Sequence, residues 1–133
     1  MSGDSTPLEL RLSEFNARHS DTKLSSAYSA SPQGLVITVE GDLDTQCSSD
    51  FQNNVLEALE VARGRGGLIL DLASLHYISS TGVGALTALL IASQRYRIPF
   101  QLCRVSEQAR SILDVLGFST FFPMIETYDV EAP

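Results

Sequence analysis

Residues 68–72, with the sequence LILDL, form an almost continuous apolar run directly after the glycine-rich residues 64–67. A short run of this kind is typical of a strand buried on both faces of a sheet. Residues 73–78 then read as a connection to a long apolar helix over about 81–96, and residues 100–105 predict a further strand. This part of the chain is therefore predicted to be a strand–helix–strand unit with a right-handed crossover.

The residues before this unit predict an antiparallel start to the sheet. A strand over residues 23–30, a turn at 31–34 with the sequence SPQG and a β-branched strand over 35–39 together read as a hairpin. A helix should follow, because apolar residues recur at helical spacing from Phe51 to Ala62. Its N-cap candidates are Ser48, Ser49 and Asp50.

Residues at the two ends of the chain complete the predicted fold. Ser106 is expected to cap another helix that ends at Gly117, and residues 119–124 are a candidate for a last strand. Residues 1–21 are ambiguous between a strand and a helix, and their apolar side chains could pack on the domain or on a second copy. We predict a single α/β domain with a mixed, mostly parallel sheet and covering helices. Its boundaries are an N-terminal extension at 1–21, the domain at 22–127 and a C-terminal tail at 128–133.

Length, composition and charge limit the possible functions. The 133 residues are 44% hydrophobic and 19% charged, which suits one domain with a packed core. The formal net charge of −7 disfavours binding to nucleic acid or to an anionic membrane, so we expect protein partners. Cys47 and Cys103 are far apart, with no sequence pattern of a zinc site or a disulfide framework. The start of the chain does not resemble a secretory signal and no apolar run is long enough to span a bilayer, which predicts a cytoplasmic protein.

The segment Ser79 to Gly84, with the sequence SSTGVG, is the part of the chain most suggestive of chemistry. One hydroxyl is enough to cap a helix and contributes about 1 kcal/mol. Three consecutive hydroxyls are more than a cap needs, and each of the two glycines costs about 1 kcal/mol inside a helix relative to alanine. The segment is either an ordinary cap with tight packing or an exposed functional surface.

The sequence motifs of common enzymes are incomplete, both in this segment and in the glycine-rich residues 64–67. The two glycines lack the third glycine and the strand position of a dinucleotide-binding loop. Neither Ser80 nor Thr81 has the flanking glycines of a hydrolase nucleophile. The catalytic histidine of such a hydrolase follows the nucleophile in the chain, whereas His19 and His76 both precede this segment. The glycines at 64–67 are not followed by the lysine of a P-loop. We therefore predict no enzymatic activity, catalytic residue, cofactor or metal.

Two motifs together resemble a known family. Residues 39–44 read VEGDLD and residues 70–84 read LDLASLHYISSTGVG, and both resemble the STAS family of anti-sigma-factor antagonists over about residues 23–125. The resemblance implies that Thr81 is phosphorylated by a partner kinase that doubles as the anti-sigma factor, with Ser80 as the fallback acceptor. In the family an aspartate commonly stands where this chain has Ser79.

The resemblance also implies a partner-binding surface. Asp44, the last residue of the motif at 39–44, is expected near the phosphorylated hydroxyl. The loops after two parallel strands leave the same edge of a sheet, which supports this placement. The predicted surface consists of Asp42, Asp44, Ser79, Ser80, Thr81, Gly82, Val83 and Gly84. A phosphatase would complete the switch. The alternatives are a scaffold domain of a stressosome-like assembly that self-associates through its N-terminal segment and, ranked lowest, a domain that binds a nucleotide or another small ligand.

Overall fold

The computed structural model describes residues 5–31 and 34–126, so Pro32 and Gln33 of the predicted turn and the predicted tail at 128–133 lie outside the described residues. The elements are α1 Ser5–Arg18, β1 Thr22–Ser31, β2 Gly34–Leu43, α2 Thr45–Ala62, β3 Leu68–Ile78, α3 Ser80–Tyr96, β4 Phe100–Cys103, α4 Glu107–Leu116 and β5 Met124–Ile125. Within these residues the five strands form one sheet in the order β1-β2-β3-β4-β5.

The strand pairing confirms the predicted mixed, mostly parallel sheet. Strand β1 runs antiparallel to β2, whereas β2, β3, β4 and β5 are mutually parallel. The register places Ile37 beside Leu70 and Leu70 beside Leu102, and none of these three side chains is exposed. The apolar run at 68–72 is therefore a central strand, as its sequence predicts.

Alternation along the strands divides the core between the two faces of the sheet. Leu35, Ile37 and Val39 join the larger cluster, which also contains all the buried apolar residues of the helices. The intervening Val36 belongs to a smaller cluster with Ile69 and Cys103. The described helices therefore contribute their buried apolar side chains to one face.

Asp71 is the charged residue of the central strand and is only 1% exposed. Its carboxylate accepts hydrogen bonds from the guanidinium of Arg104 and from the backbone N–H of Ala73. A buried carboxylate requires such partners, because an unpaired buried charge is strongly destabilising. The ion pair accounts for an aspartate inside the otherwise apolar run at 68–72.

Three sequence-based boundaries at the carboxyl edge of the sheet are wrong. Strand β2 continues to Leu43 instead of ending at residue 39. Residues 73–78 are not a connection but the second half of β3, which stays paired with β2 up to Leu43 and Ile78. Helix α2 begins at Thr45, because Asp44 and not Ser48, Ser49 or Asp50 is its N-cap. The errors have the same cause: polar residues at a sheet edge and in a first helical turn resemble a loop.

The elements after α3 agree with the sequence except in the lengths of the strands. Ser106 caps α4 by accepting a hydrogen bond from the N–H of Ala109, and Gly117 ends that helix with a φ of 80°. Strand β4 ends at Cys103 rather than at residue 105. The last strand is limited to Met124–Ile125 instead of covering 119–124.

The N-terminal segment forms a helix, α1, that packs against β1 and α2. Its residues Leu8, Leu12 and Phe15 are at most 3% exposed and belong to the larger core cluster. The Asn16 side chain both donates to the Leu24 carbonyl and accepts from the Leu24 N–H, each at 2.8 Å. The buried apolar residues of α1 are thus packed on their own domain.

None of the helices in the described part of the chain has the length and hydropathy to cross a membrane.

Candidate functional site

Strands β2 and β3 end side by side at the carboxyl edge of the sheet. Leu43 pairs with Ile78, and the N–H of Ser79 donates to the carbonyl oxygen of Leu43 at 2.9 Å. Helices α2 and α3 therefore begin next to each other. In α/β proteins, this edge is where binding sites are commonly found.

Ser79 is the N-cap of α3. It has extended backbone angles, and its Oγ accepts a hydrogen bond from the N–H of Gly82 at 3.0 Å. Ser80 and Thr81 occupy the first turn of the helix and are exposed, whereas Ser79 itself is only 7% exposed. One of the three hydroxyls therefore caps the helix, and the other two are accessible.

Three hydroxyl groups meet around Thr81. Its Oγ1 lies 2.9 Å from Oγ1 of Thr45 and 3.1 Å from Oγ of Ser79. The sequence-based site did not include Thr45. The available signal was its position directly after Asp44, at the end of a strand parallel to β3, but a helix start predicted at residues 48–50 left Thr45 in a loop.

Asp44 lies at the same edge and acts as a helix cap. Its Oδ1 accepts a hydrogen bond from the N–H of Cys47 at 3.0 Å, which satisfies one of the free donors of the first turn of α2. Among the described contacts, this carboxylate does not bond to Thr81; the adjacent Thr45 does. Asp42 is a half-buried residue of β2 whose N–H donates to the Asp21 carbonyl oxygen at 2.8 Å.

The two glycines of the segment have different surroundings. Gly82 is buried, and a Cβ atom added there would lie 2.8 Å from Cγ1 of Ile78. Val83 is also buried, at 2% exposure, and packs into the larger core cluster. Gly84 is exposed, and a Cβ atom there would meet nothing within 4 Å. Ser80, Thr81 and Gly84 thus form the outer surface, while Gly82 and Val83 fix the helix to the sheet.

The exposed hydroxyls of Ser80 and Thr81 border different grooves. Thr81 lines a groove of about 330 Å³ between α2 and α3, whose other lining residues are Thr45, Ser48, Ser49, Gln52, Asn53, Gly84 and Ala85. Ser80 lines a groove of about 310 Å³ on the α4 side, with Tyr77, Ile78, Ser111, Ile112, Val115 and Leu116. Consecutive helical residues point about 100° apart, which separates the two side chains. Thr81 consequently has polar neighbours and Ser80 mostly apolar ones.

Cys47 lies in the first turn of α2, two residues after Thr45. It is 3% exposed, and its Sγ lies 3.3 Å from Oγ1 of Thr22. Burial raises the pKa of the Cys47 thiol, which therefore stays protonated at neutral pH. Cys47 and Cys103 are both buried free cysteines. Within residues 5–31 and 34–126, no group of three or more His, Cys, Asp or Glu residues could hold a metal ion.

The part of the chain that carries this site matches a known protein family. The family model described as the STAS domain matches residues 27–131. The chain belongs to the STAS domain family. The match contains the edge formed by β2 and β3 and the whole of α3, so the hydroxyl cluster lies inside the family's domain.

A curated relative is similar to this chain in sequence, and two solved structures are similar to it in fold. The "Putative anti-sigma factor antagonist BtrV" of Bordetella bronchiseptica is 31% identical over 100 residues, which cover 74% of this chain and 83% of the relative. The anti-sigma factor antagonist SpoIIAA in its unphosphorylated form has a TM-score of 0.60 at 17% identity, covering 80% of this chain and 87% of that one. An anti-sigma factor antagonist from Mycobacterium paratuberculosis has a TM-score of 0.57 at 17% identity, covering 80% and 85%. At these identities the two structures show the fold.

Proposed function

We propose that this STAS protein is a phosphorylation-controlled partner switch. Unmodified, it binds an anti-sigma factor that is also a serine/threonine kinase; phosphorylated at Thr81, it releases that partner. The observation that carries the proposal is the exposed Thr81 hydroxyl, held in the first turn of α3 at an open groove lined mainly by hydroxyl and amide side chains. The similarity to anti-sigma factor antagonists supports the class of partner.

The chemistry needs only an acceptor hydroxyl from this chain. Oγ1 of Thr81 forms a bond to the γ-phosphorus of ATP held by the kinase, the bond to the bridging oxygen of ADP breaks, and the hydroxyl proton leaves to solvent or to a kinase base. The kinase supplies ATP and the catalytic groups, so the STAS chain is not an enzyme in this scheme. A phosphatase would return the hydroxyl, and both reactions would take place in the cytoplasm.

Phosphate at Thr81 would change the partner surface more than the fold. It adds about −1.5 to −2 charges at neutral pH, and a helix N-terminus favours negative charge. The fold therefore tolerates the modification. A partner surface fitted to a small neutral hydroxyl would instead have to desolvate a dianion, which is costly without a matching cation.

The two grooves favour Thr81 over Ser80 as the acceptor. A phosphate on Ser80 would border the groove formed largely by Tyr77, Ile112, Val115 and Leu116. Apart from the hydroxyl of Tyr77, those side chains offer no hydrogen bonds to a desolvated dianion. A phosphate on Thr81 would instead lie among hydroxyl and amide side chains.

The test is phosphate transfer from the kinase that copurifies with the protein from host cells. We expect radiolabelled ATP to modify wild type and Ser80→Ala but not Thr81→Ala, and Thr81→Ala to stay bound to the kinase with ATP present. Labelling of Thr81→Ala at the wild-type rate would contradict the proposal. If Ser80→Ala alone lost labelling, the acceptor would be Ser80.

A further inference from the structure

We propose that Thr45 is a positioning residue for the reaction of Thr81, holding the acceptor hydroxyl in one orientation before the kinase binds. The inference rests on the proposed phosphorylation of Thr81 and adds a residue from a different helix. It follows from the 2.9 Å distance between the two Oγ1 atoms, which links the first turn of α2 to the first turn of α3.

Counting protons shows what the hydroxyl cluster does to Thr81. A threonine hydroxyl has one proton to donate and two lone pairs that accept. Thr81 contacts two hydroxyls, Thr45 and Ser79, and with a single proton it can donate to only one of them, so it accepts from at least one. When it donates to one and accepts from the other, one lone pair of the Thr81 oxygen is left for attack on phosphorus.

The contact also selects a side-chain rotamer. Threonine in a helix divides between two χ1 rotamers, unlike valine or isoleucine, which adopt mainly one. Ser79, the helix cap, also contacts the Thr81 hydroxyl. The bond to Thr45 is the contact that comes from α2, and it keeps the hydroxyl of Thr81 turned towards that helix, away from the apolar groove beside Ser80.

Holding a reacting group in its productive orientation accelerates a reaction without strengthening substrate binding. Thr45 and Thr81 are both exposed, so loss of their hydrogen bond leaves no buried polar group unsatisfied and the domain stays folded. An effect of Thr45 on positioning should consequently appear in the maximal rate of transfer to the folded protein and not in the KM for the STAS protein.

The first test needs no kinase. Three-bond NMR couplings from the Thr81 methyl carbon to its backbone nitrogen and carbonyl carbon report its χ1 rotamer. We expect one dominant rotamer in wild type and Thr45→Ser, and averaged couplings in the isosteric Thr45→Val. Thr87→Val is the matched control, because that hydroxyl bonds to the Val83 carbonyl at 2.9 Å within α3 and lies outside the cluster. Wild-type couplings in Thr45→Val would overturn the proposal.

The second test measures phosphate transfer by the copurified kinase. Thr45→Val should lower kcat about three- to tenfold, the factor expected from one neutral hydrogen bond, with KM unchanged. Thr45→Ser should recover most of the rate, and Thr87→Val should match wild type. If Thr81→Ala is not labelled but Thr45→Val reacts like wild type, the positioning role is wrong and the switch stands. If Thr81→Ala is labelled normally, the proposed switch itself fails.

Discussion

A Cβ atom on Gly82 would lie 2.9 Å from the carbonyl oxygen of Leu43, the same oxygen that accepts the hydrogen bond of Ser79. The hydrogen bond between Ser79 and Leu43 places the start of α3 against β2, and this close approach leaves little space for a side chain at residue 82. Overpacking usually costs about 1–3 kcal/mol, and the helical preference of alanine offsets about 1 kcal/mol of that cost. We therefore expect Gly82→Ala to lower the free energy of unfolding by up to about 2 kcal/mol. Urea unfolding of the purified variant measures the change.

Gly84→Ala is the matched control on the same helix. Because nothing lies within 4 Å of a Cβ atom there, we expect this substitution to raise the free energy of unfolding by about 0.5–1 kcal/mol. Equal stabilities of the two alanine variants would show that the close approach of Gly82 to Leu43 does not constrain the fold.

Asp44 allows its capping role to be separated from a role of its charge in partner binding. Asp44→Ala should lower the free energy of unfolding by about 1 kcal/mol, because the N–H of Cys47 loses its acceptor. Asp44→Asn should keep most of that stability, since asparagine caps helices about as well as aspartate. Denaturant unfolding gives the stabilities, and calorimetry with the copurified kinase gives the affinities.

The affinities of the two Asp44 variants decide what the carboxylate does. If Asp44 acts only as a cap, Asp44→Asn binds the kinase like wild type. A large loss of affinity in Asp44→Asn at unchanged stability would instead assign its negative charge to the interface.

The sequence predicts the centre of the sheet better than its carboxyl edge. Leu68 to Leu72 is buried on both faces, so its apolar run identifies it without any knowledge of its neighbours. Beyond it, β3 continues with Ala73, Ser74, His76 and Tyr77 exposed, and only Leu75 and Ile78 stay buried. A strand with that composition reads as a connection, because its pairing with β2 is not visible in its own residues.

The candidate site was predictable only in part, for a related reason. The position of Thr81 at the start of α3 follows from the local sequence, since hydroxyls and glycines there indicate a helix start. The contact between Thr81 and Thr45 depends on the register of two strands and on the exact start of α2. Several capping residues between Asp44 and Asp50 made that start ambiguous.

The N-terminal helix should be part of the stable domain. Phe15 is fully buried in the larger core cluster, so Phe15→Ala should lower the free energy of unfolding by about 3–5 kcal/mol. Leu10, on the same helix but 58% exposed, is the control, and Leu10→Ala should change stability by less than about 0.5 kcal/mol.

Sedimentation of Leu10→Ser tests the scaffold alternative, which requires self-association through this segment. A smaller particle than wild type would support it.

Asp50 of α2 joins that helix to the end of α1. Its Oδ2 accepts hydrogen bonds from the Arg18 guanidinium and contacts Nε2 of His19, both at 2.9 Å. Partial burial is the largest single influence and raises the pKa of Asp50, but the hydrogen bonds and charges of His19 and Arg18 together outweigh it. The pKa of Asp50 therefore lies below its ordinary value of 3.8.

This lowered pKa predicts how stability depends on pH. A carboxyl whose pKa is lower in the folded state stabilises the fold above its unfolded pKa and loses that contribution as pH falls through the folded pKa. Asp50→Asn should be less stable than wild type by about 1 kcal/mol at pH 5, and the difference should shrink as the pH falls below the ordinary pKa of 3.8 and through the lower pKa of the folded state. Urea unfolding at several pH values measures the difference.

Glu57→Gln, which removes the exposed 3.7 Å ion pair with Arg11 on the same two helices, controls for a general loss of charge and should change stability by less than about 0.5 kcal/mol. A gap between wild type and Asp50→Asn that stays constant from pH 5 to pH 3 would show that these ion pairs do not couple α1 to α2 in solution.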